Sequence, residues 1–249
     1  EPEGKLPPDF YFALLSDMLK LREEEGFREA ETYFSKLFDA KQKAGALPGL
    51  KMDHESDVRT SGSVDFEEAF EIRPNRDGVF FMTAVMLATA WYNESDFAYL
   101  ASVYNDRDDP VRMTSVGFMA TGLTFGLDIA AFQKPQEMLD EICAQNTFSI
   151  LHTEYSYALE KDLDTRNMVQ FNVYKGVQQW KSDSEFVGES VRPELKNQMP
   201  GALVIFLKEE PERGWNGLSI RYAEEIYEKE HMDRFAELLF KAVDFLEGN

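Results

Sequence analysis

The chain has 249 residues, of which 43% are hydrophobic and 13% aromatic, which disfavours disorder and allows one large domain or two small ones. Its 26 basic and 46 acidic side chains give a formal net charge of −20, which disfavours nucleic acid and anionic membrane surfaces as partners. No apolar run approaches the ~20 residues of a membrane span. The single cysteine, Cys143, excludes an internal disulfide, and this fits a cytoplasmic protein.

Helical patterns dominate the start of the chain. Apolar residues at helical spacing predict one helix over Phe10–Glu25, ended by Gly26, and a second helix over Arg28–Lys43. Residues 1–45 are therefore interpreted as a helical segment that leads into the main lobe. Residues 46–65 are charged and without periodicity, which predicts a mobile loop.

Strands and helices alternate through the rest of the chain. Phe66–Arg73 is predicted to be a strand, and Asp77 to cap a strongly apolar helix over Gly78–Tyr92. Thr114–Leu127 is strand material interrupted by glycines. The remaining predicted elements are strands over Phe97–Tyr104, Met168–Tyr174, Ala202–Lys208 and Leu218–Ala223, the last two antiparallel, and helices over Pro135–Leu151 and Tyr227–Glu247.

This alternation predicts a layered α/β or α+β fold, in which residues 66–249 form one lobe. The residues alone indicate no catalytic centre and no metal site. His54 lies in an acidic loop with no second histidine or cysteine nearby, and His231 lies on the polar face of the last helix. Cys143 has no basic neighbour that would activate it, so we expect a small buried side chain.

Three segments, in order, resemble motifs of condensation domains from nonribosomal peptide synthetases. Arg107–Pro110 followed by Ser115–Leu127 resembles an Arg-x-x-Pro turn and the Val-Gly-x-Phe-Val-Asn-Thr-Leu-Pro-Leu-Arg segment of that family. His152–Tyr157 resembles its His-Gln-Asp-Tyr-Pro-Phe segment. Thr165–Asn167 resembles its Ser-Arg-Asn-Pro-Leu segment at the entry to a strand. Together with similar flanking elements, the resemblance covers nearly the whole chain.

The resemblance implies a lobe of the chloramphenicol acetyltransferase-like, CoA-dependent acyltransferase fold, with a mixed β-sheet flanked by helices. Condensation domains join acyl or peptidyl groups carried on phosphopantetheine arms, in a tunnel between two lobes. Their catalytic His-His-x-x-x-Asp-Gly sequence ends the first lobe, and no two histidines are adjacent here. The chain therefore resembles the C-terminal lobe, which is expected to contain no catalytic residue, to bind no metal or cofactor directly and to be inactive alone.

The partners that the resemblance implies are the N-terminal lobe of the same domain, peptidyl carrier protein domains and an adjacent adenylation domain. The alternatives are a non-catalytic docking platform for carrier proteins or tailoring enzymes, or a lobe of another two-lobed acyltransferase or of an epimerization domain. The substitutions within the motifs motivate the platform. For example, Thr121 stands where the family has Asn, Gly122 where it has Thr, and Thr124 where it has Pro.

The resemblance also implies which residues line the tunnel. Each has a structural alternative: Arg166 and Asn167 can hold a turn, His152 can satisfy carbonyl groups at a helix end, and the glycines can form bends. The residues carried over are Gly117, Thr121, Gly122, Thr124, His152, Tyr155, Arg166 and Asn167.

Overall fold

In the computed structural model, the described residues are 16–17, 19–20, 25–41, 62–65, 70–105, 120–153, 169–175, 203–210, 214–224 and 226–248. Residues 16, 17, 19 and 20 are helical, in agreement with the predicted helix over Phe10–Glu25. Gly26 lies inside the next helix and does not end the preceding one, so that part of the prediction is wrong.

The described helices and strands alternate, as predicted. The helices are α1 (Glu25–Lys41), α2 (Gly78–Tyr92), α3 (Pro135–Leu151) and α4 (Lys229–Leu246), and a 3₁₀ turn covers Ile129–Ala131. The strands are β1 (Gly62–Asp65), β2 (Phe70–Glu71), β3 (Phe97–Tyr104), β4 (Thr121–Asp128), β5 (Val169–Lys175), β6 (Leu203–Glu210) and β7 (Trp215–Tyr222).

The seven described strands form one mixed sheet in the order β1-β7-β6-β5-β3-β4, with β2 also paired to β7. Strands β3, β5 and β6 run parallel, and the other pairs are antiparallel. The predicted antiparallel pair near the C-terminus is confirmed as β6 and β7. β1 falls inside the predicted loop over residues 46–65, so that prediction is wrong for residues 62–65. Residues 46–61 lie outside the described part of the chain.

Helix α2 is the centre of the core, and its residues from Phe80 to Ala90 are all buried. Its first turn is capped as predicted, because an Asp77 carboxylate oxygen accepts a hydrogen bond of 2.9 Å from the backbone N–H of Phe80. The hydroxyl groups of two buried threonines donate hydrogen bonds to backbone carbonyl oxygens one turn earlier, Thr83 to Val79 and Thr89 to Val85, the latter at 2.7 Å. The helix can therefore be buried on every side without an unpaired threonine hydroxyl.

Helices α2, α3 and α4 cover one face of the sheet, here called the helix face. Side chains of all three helices join those of β3 to β7 in one core, for example Met86 of α2, Ile142 of α3 and Phe235 of α4. The predicted amphipathic pattern of α4 is confirmed by the burial of Met232, Phe235, Leu239, Ala242, Val243 and Leu246.

The predicted burial of Cys143 on α3 is wrong. Cys143 is exposed, because α3 packs at the edge of the sheet and presents this position to the outside. No helix in the described ranges is long and apolar enough to cross a membrane.

Candidate functional site

Strand β4 carries three of the predicted tunnel residues, and its alternation separates them onto two faces. Leu123, Phe125 and Leu127 point into the core on the helix face, so Thr121 has the same orientation and Gly122 and Thr124 the opposite one. Both threonines are buried, with 2% and 4% of their surface exposed. The three residues therefore cannot all face one tunnel through their side chains.

The sheet surface opposite the helix face is here called the second face. Strand register aligns its residues in rows: Thr124 pairs with Ala101, Ala101 with Gln170, Gln170 with Val204, and Val204 with Arg221. The adjacent positions on each strand that share this face are Gly122, Val103, Asn172, Phe206 and Ser219.

The chemistry of the second face is mainly neutral hydrogen bonding. Gln170 Nε2 donates to Asn172 Oδ1 at 3.3 Å. Burial raises the pKa of Tyr99 to about 12, although a hydrogen bond with the Thr124 side chain lowers it. Tyr99 therefore stays protonated at neutral pH. Among the described residues, a Cβ added at Gly122 would meet nothing within 4 Å. Neutral amide and hydroxyl groups of this kind can orient a ligand but are poor proton-transfer catalysts near pH 7.

Helix α1 packs on the second face at the β3–β4 end. Leu37 packs against Phe97, Tyr99 and Ala101, and a Cβ added at Gly126 would lie 2.5 Å from Leu37 Cδ1. Among the four described helices, the other three lie on the helix face. Parallel strands are normally covered on both faces, and none of the described helices α1 to α4 covers the β5–β6–β7 part of the second face, where Gln170 and Val204 are nevertheless buried. This part of the second face is therefore a candidate contact surface.

His152 ends α3 and faces the start of α1. Its backbone N–H donates to the Ser149 carbonyl oxygen at 3.3 Å, and its ring lies 4.4 Å from the ring of Phe148. A Cβ added at Gly26 would lie 3.9 Å from His152 Cε1. The structure thus places His152 in the α1–α3 contact.

Thr121, Gly122 and His152 belong to the same end of the sheet. After β4 the chain reverses through the 3₁₀ turn, and α3 returns along the strand with Gln145 beside Gly126. From the contact between Gln145 and Gly126, the residues of β4 before Gly126 and the residues of α3 after Gln145 run towards the same end of the sheet. Whether this end lines a tunnel remains a prediction, since Gly117, Tyr155, Arg166 and Asn167 lie outside the described residues.

Sequence reasoning missed Tyr99, Gln170, Asn172 and Arg221 as candidate contact residues. The signal was present, because the predicted strand over Met168–Tyr174 alternates apolar residues with Gln170 and Asn172. The polar half of that alternation marks the side of β5 away from the core.

No metal centre is evident in the described part of the chain, where no three His, Cys, Asp or Glu side chains form a group that could hold an ion. His54, in the acidic loop, lies outside that part.

Comparison with known proteins supports the fold. No protein-family model matches the sequence, and no curated protein matches it. A structure described as the molecular basis for condensation domain-mediated chain release from the enacyloxin polyketide synthase is similar with a TM-score of 0.59 at 14% identity, covering 86% of this chain and 46% of that one. The starter condensation domain of rhizomide synthetase is similar with a TM-score of 0.58 at 15% identity, covering 94% and 56%.

A structure of PapA2 acyl transferase also matches, with a TM-score of 0.58 at 9% identity, covering 98% of this chain and 58% of that one. The chain thus spans about half the length of these solved structures. It has a condensation-domain-like fold, as the sequence motifs predict, and at these identities the similarity concerns the fold alone.

Proposed function

We propose that this chain is the C-terminal lobe of a condensation domain, and that its second face forms part of the wall between the two lobes. The observation that carries the proposal is the coverage of the structural matches. Almost the whole chain aligns, but only with about half of each solved structure. A missing lobe would provide the partner that the second face lacks among the described helices.

In the proposed reaction, an acceptor amine attacks the carbonyl carbon of a donor thioester, with both groups carried on phosphopantetheine arms. A C–N bond forms, the C–S bond breaks, and the thiol leaves with the proton that the amine loses. A histidine outside these residues would handle that proton, because the chain contains no adjacent histidine pair. The contribution of this lobe would be to orient the reactants.

The side chains of the second face are consistent with that role. Thr124, Gln170 and Asn172 carry neutral donors and acceptors, which suit the amide groups of a carrier arm, and Asn172 is the least buried of the three. Lys208 and Arg221 are exposed charged residues of this face on β6 and β7. In a chain with a net charge of −20, they favour an acidic surface on the partner lobe or carrier protein.

The test is reconstitution with the polypeptide encoded directly upstream of this chain in its source DNA. We expect that polypeptide to contain the His-His-x-x-x-Asp-Gly sequence, to bind this chain, and to restore amide formation that the chain lacks by itself. An upstream lobe with a degenerate histidine motif that still binds would favour the non-catalytic docking platform. Amide formation by the 249-residue chain alone would contradict the proposal.

The contact surface can be tested with one matched pair of variants. Val103 on the second face is 42% exposed, and Ile72, next to β2, is 40% exposed. We expect Val103→Asp to weaken binding of the upstream lobe more than tenfold, because a carboxylate would be desolvated in the contact. Ile72→Asp should leave the affinity unchanged. Equal effects of the two substitutions would place the lobe contact elsewhere.

A further inference from the structure

Helix α1 packs outside the main core of the lobe. That core joins α2, α3 and α4 to the sheet, and no described side chain of α1 belongs to it. The apolar contacts of α1 form two smaller clusters, one around the buried Ala30 and Phe34 with Phe148 of α3, the other where Leu37 meets β3. Satellite clusters of this kind bury much less apolar surface than a central core.

The other side of α1 is polar. Glu31, Ser35 and Lys36 are exposed, whereas Ala30 and Phe34 between them are buried. Helix α1 is therefore attached through one side, and its polar side faces away from the lobe.

Leu37 joins the two clusters, and it lies directly on the backbone of β4. A Cβ added at Gly126 would lie 2.5 Å from Leu37 Cδ1 and 2.9 Å from Phe97 Cζ, so the missing side chain at Gly126 permits this close approach. Beneath α1 lie the buried Phe97, Tyr99 and Ala101 of β3, here called the apolar strip. In the docked position, α1 covers the apolar strip at the β3–β4 end of the second face.

One polar group opposes the docked position. The Tyr33 ring packs against Phe34 and Phe148, with ring centroids 5.1 and 4.4 Å apart. The Tyr33 hydroxyl oxygen is buried and has no hydrogen-bond partner within the described part of the chain. A buried hydroxyl without a partner costs free energy, and water would bond to it once the helix moved away. A phenylalanine would make the same ring contacts without that cost.

We propose that α1 is a movable strap, which undocks from the second face as one unit while the sheet and the other three described helices stay folded. Undocking uncovers the apolar strip, and docking closes it again. Segments with few buried apolar contacts open at a lower free energy than the core of the same protein. The movement needs no second lobe, so it can be tested in this chain by itself, separately from the proposed function.

The first experiment is native-state amide hydrogen exchange, followed by NMR at low urea concentrations. The amides from Ala30 to Leu37 should open together, at least tenfold more often than those of α2. Their opening should also depend less on urea, because undocking exposes less surface than unfolding does. Opening of α1 at the same rate and with the same urea dependence as α2 would overturn the strap, as would opening residue by residue from the ends of α1.

The second experiment compares two variants that each remove one tyrosine hydroxyl. Tyr33→Phe should reduce the opening of α1 by about fivefold or more, because the docked helix no longer buries an unpaired hydroxyl. Tyr99→Phe is the matched control, since the Tyr99 hydroxyl bonds to the Thr124 side chain within the sheet, whether or not α1 is docked. It should leave the opening of α1 unchanged relative to α2. Equal effects of the two substitutions contradict the strap, as does faster opening in Tyr33→Phe.

A third variant tests whether the rest of the lobe stays folded without the strap. Phe34→Ala removes a side chain that is only 3% exposed, and it should raise the opening of α1 on the order of a hundredfold. The exchange of α2 amides should not change. Equal acceleration in α1 and α2 would show that α1 is part of the cooperative core. If this variant does not fold, that outcome also contradicts independent undocking.

Discussion

The buried ion pair between Arg76 and Glu247 provides the sharpest test of how this lobe is held together. Their side chains are 8% and 9% exposed, and the Arg76 guanidinium donates to Glu247 Oε1. The pair joins the end of α4 to the turn before α2, 171 residues earlier in the chain. We expect Glu247→Gln, which preserves the shape of the side chain, to destabilise the fold strongly.

The magnitude follows from the surroundings of Arg76. Loss of one partner from a buried ion pair costs about 3–5 kcal/mol, because the other charge stays buried without compensation. Arg73, whose Nη1 lies 3.5 Å from Glu247 Oε1, would lose one of its two carboxylate partners and keep Glu71. The Glu71 carbonyl oxygen accepts from Arg76 at 3.4 Å and remains in the variant. We therefore expect the low end of the range, about 3 kcal/mol.

The assay is urea unfolding with the free energy of unfolding compared at an unchanged m-value. Glu71→Gln is the matched control, because Glu71 pairs with Arg73 on the surface with 71% of its side chain exposed, and such pairs contribute about 0–1 kcal/mol. A loss below about 1 kcal/mol in Glu247→Gln would refute the reasoning, as would a double variant, Arg76→Met with Glu247→Leu, that is less stable than either single substitution.

The same pair predicts a pH dependence. The hydrogen bond from Arg76 lowers the pKa of Glu247, and the charges of Arg76 and Arg73 act in the same direction against the effect of burial. A carboxyl pKa that is lower in the folded state than the unfolded value of about 4.3 stabilises the fold above that value. This stability is lost as pH falls through the lowered pKa. Glu247→Gln should lack this acid-dependent loss, measured as the difference in unfolding free energy between pH 6 and pH 3.

Three further predictions concern the cap of α2, the core and the tyrosines. Asp77→Ala should lower the unfolding free energy by about 1 kcal/mol, since the Phe80 N–H loses its acceptor. Asp77→Asn should keep most of the stability that the cap provides, and equal losses in the two variants would contradict the capping role. Ile142→Ala should cost about 2–5 kcal/mol in the same urea assay, because Ile142 is fully buried, and a loss below 1 kcal/mol would indicate a loosely packed core. Burial raises the pKa of Tyr33 and Tyr99 to about 12, so the stabilisation from these tyrosines is full below the unfolded pKa of about 10 and declines from pH 10 to 12. Absorbance at 295 nm should show late tyrosine ionisation coupled to unfolding. Complete ionisation at pH 10.5 in the folded state would contradict this prediction.

The local elements of this lobe could be predicted from the sequence because their signals lie within a few residues of one another. Asp77 and the apolar run of Gly78–Tyr92 define α2 with its observed bounds, and the alternation in Phe97–Tyr104 does the same for β3. A capping side chain acts three residues away, and strand alternation has a period of two. The condensation-like fold could also be predicted, from motifs whose order follows the chain.

Strand β1 shows where local reasoning fails. Gly62–Asp65 has too little apolar pattern to predict a strand, and it forms because β7 supplies a hydrogen-bonding ladder from residues more than 150 positions later. The candidate site has the same limitation. The glycine-interrupted run before Leu127 does not reveal where pairing with β3 begins. The sequence motif therefore predicted that Thr121, Gly122 and Thr124 line the same tunnel, whereas the register with β3 places Thr121 on one face of the sheet and Gly122 and Thr124 on the other.

By itself, the sequence determined the elements, their caps, the acidic character of the chain and its similarity to one lobe of a larger fold. Only the tertiary structure decided the strand order, the face on which each polar residue lies, the hydrogen bonds between Gln145 and Gly126, and the pairing of Arg76 with Glu247. The physical reason is that these contacts join residues distant in the chain, and their free energy depends on burial that exists only after the layers have packed.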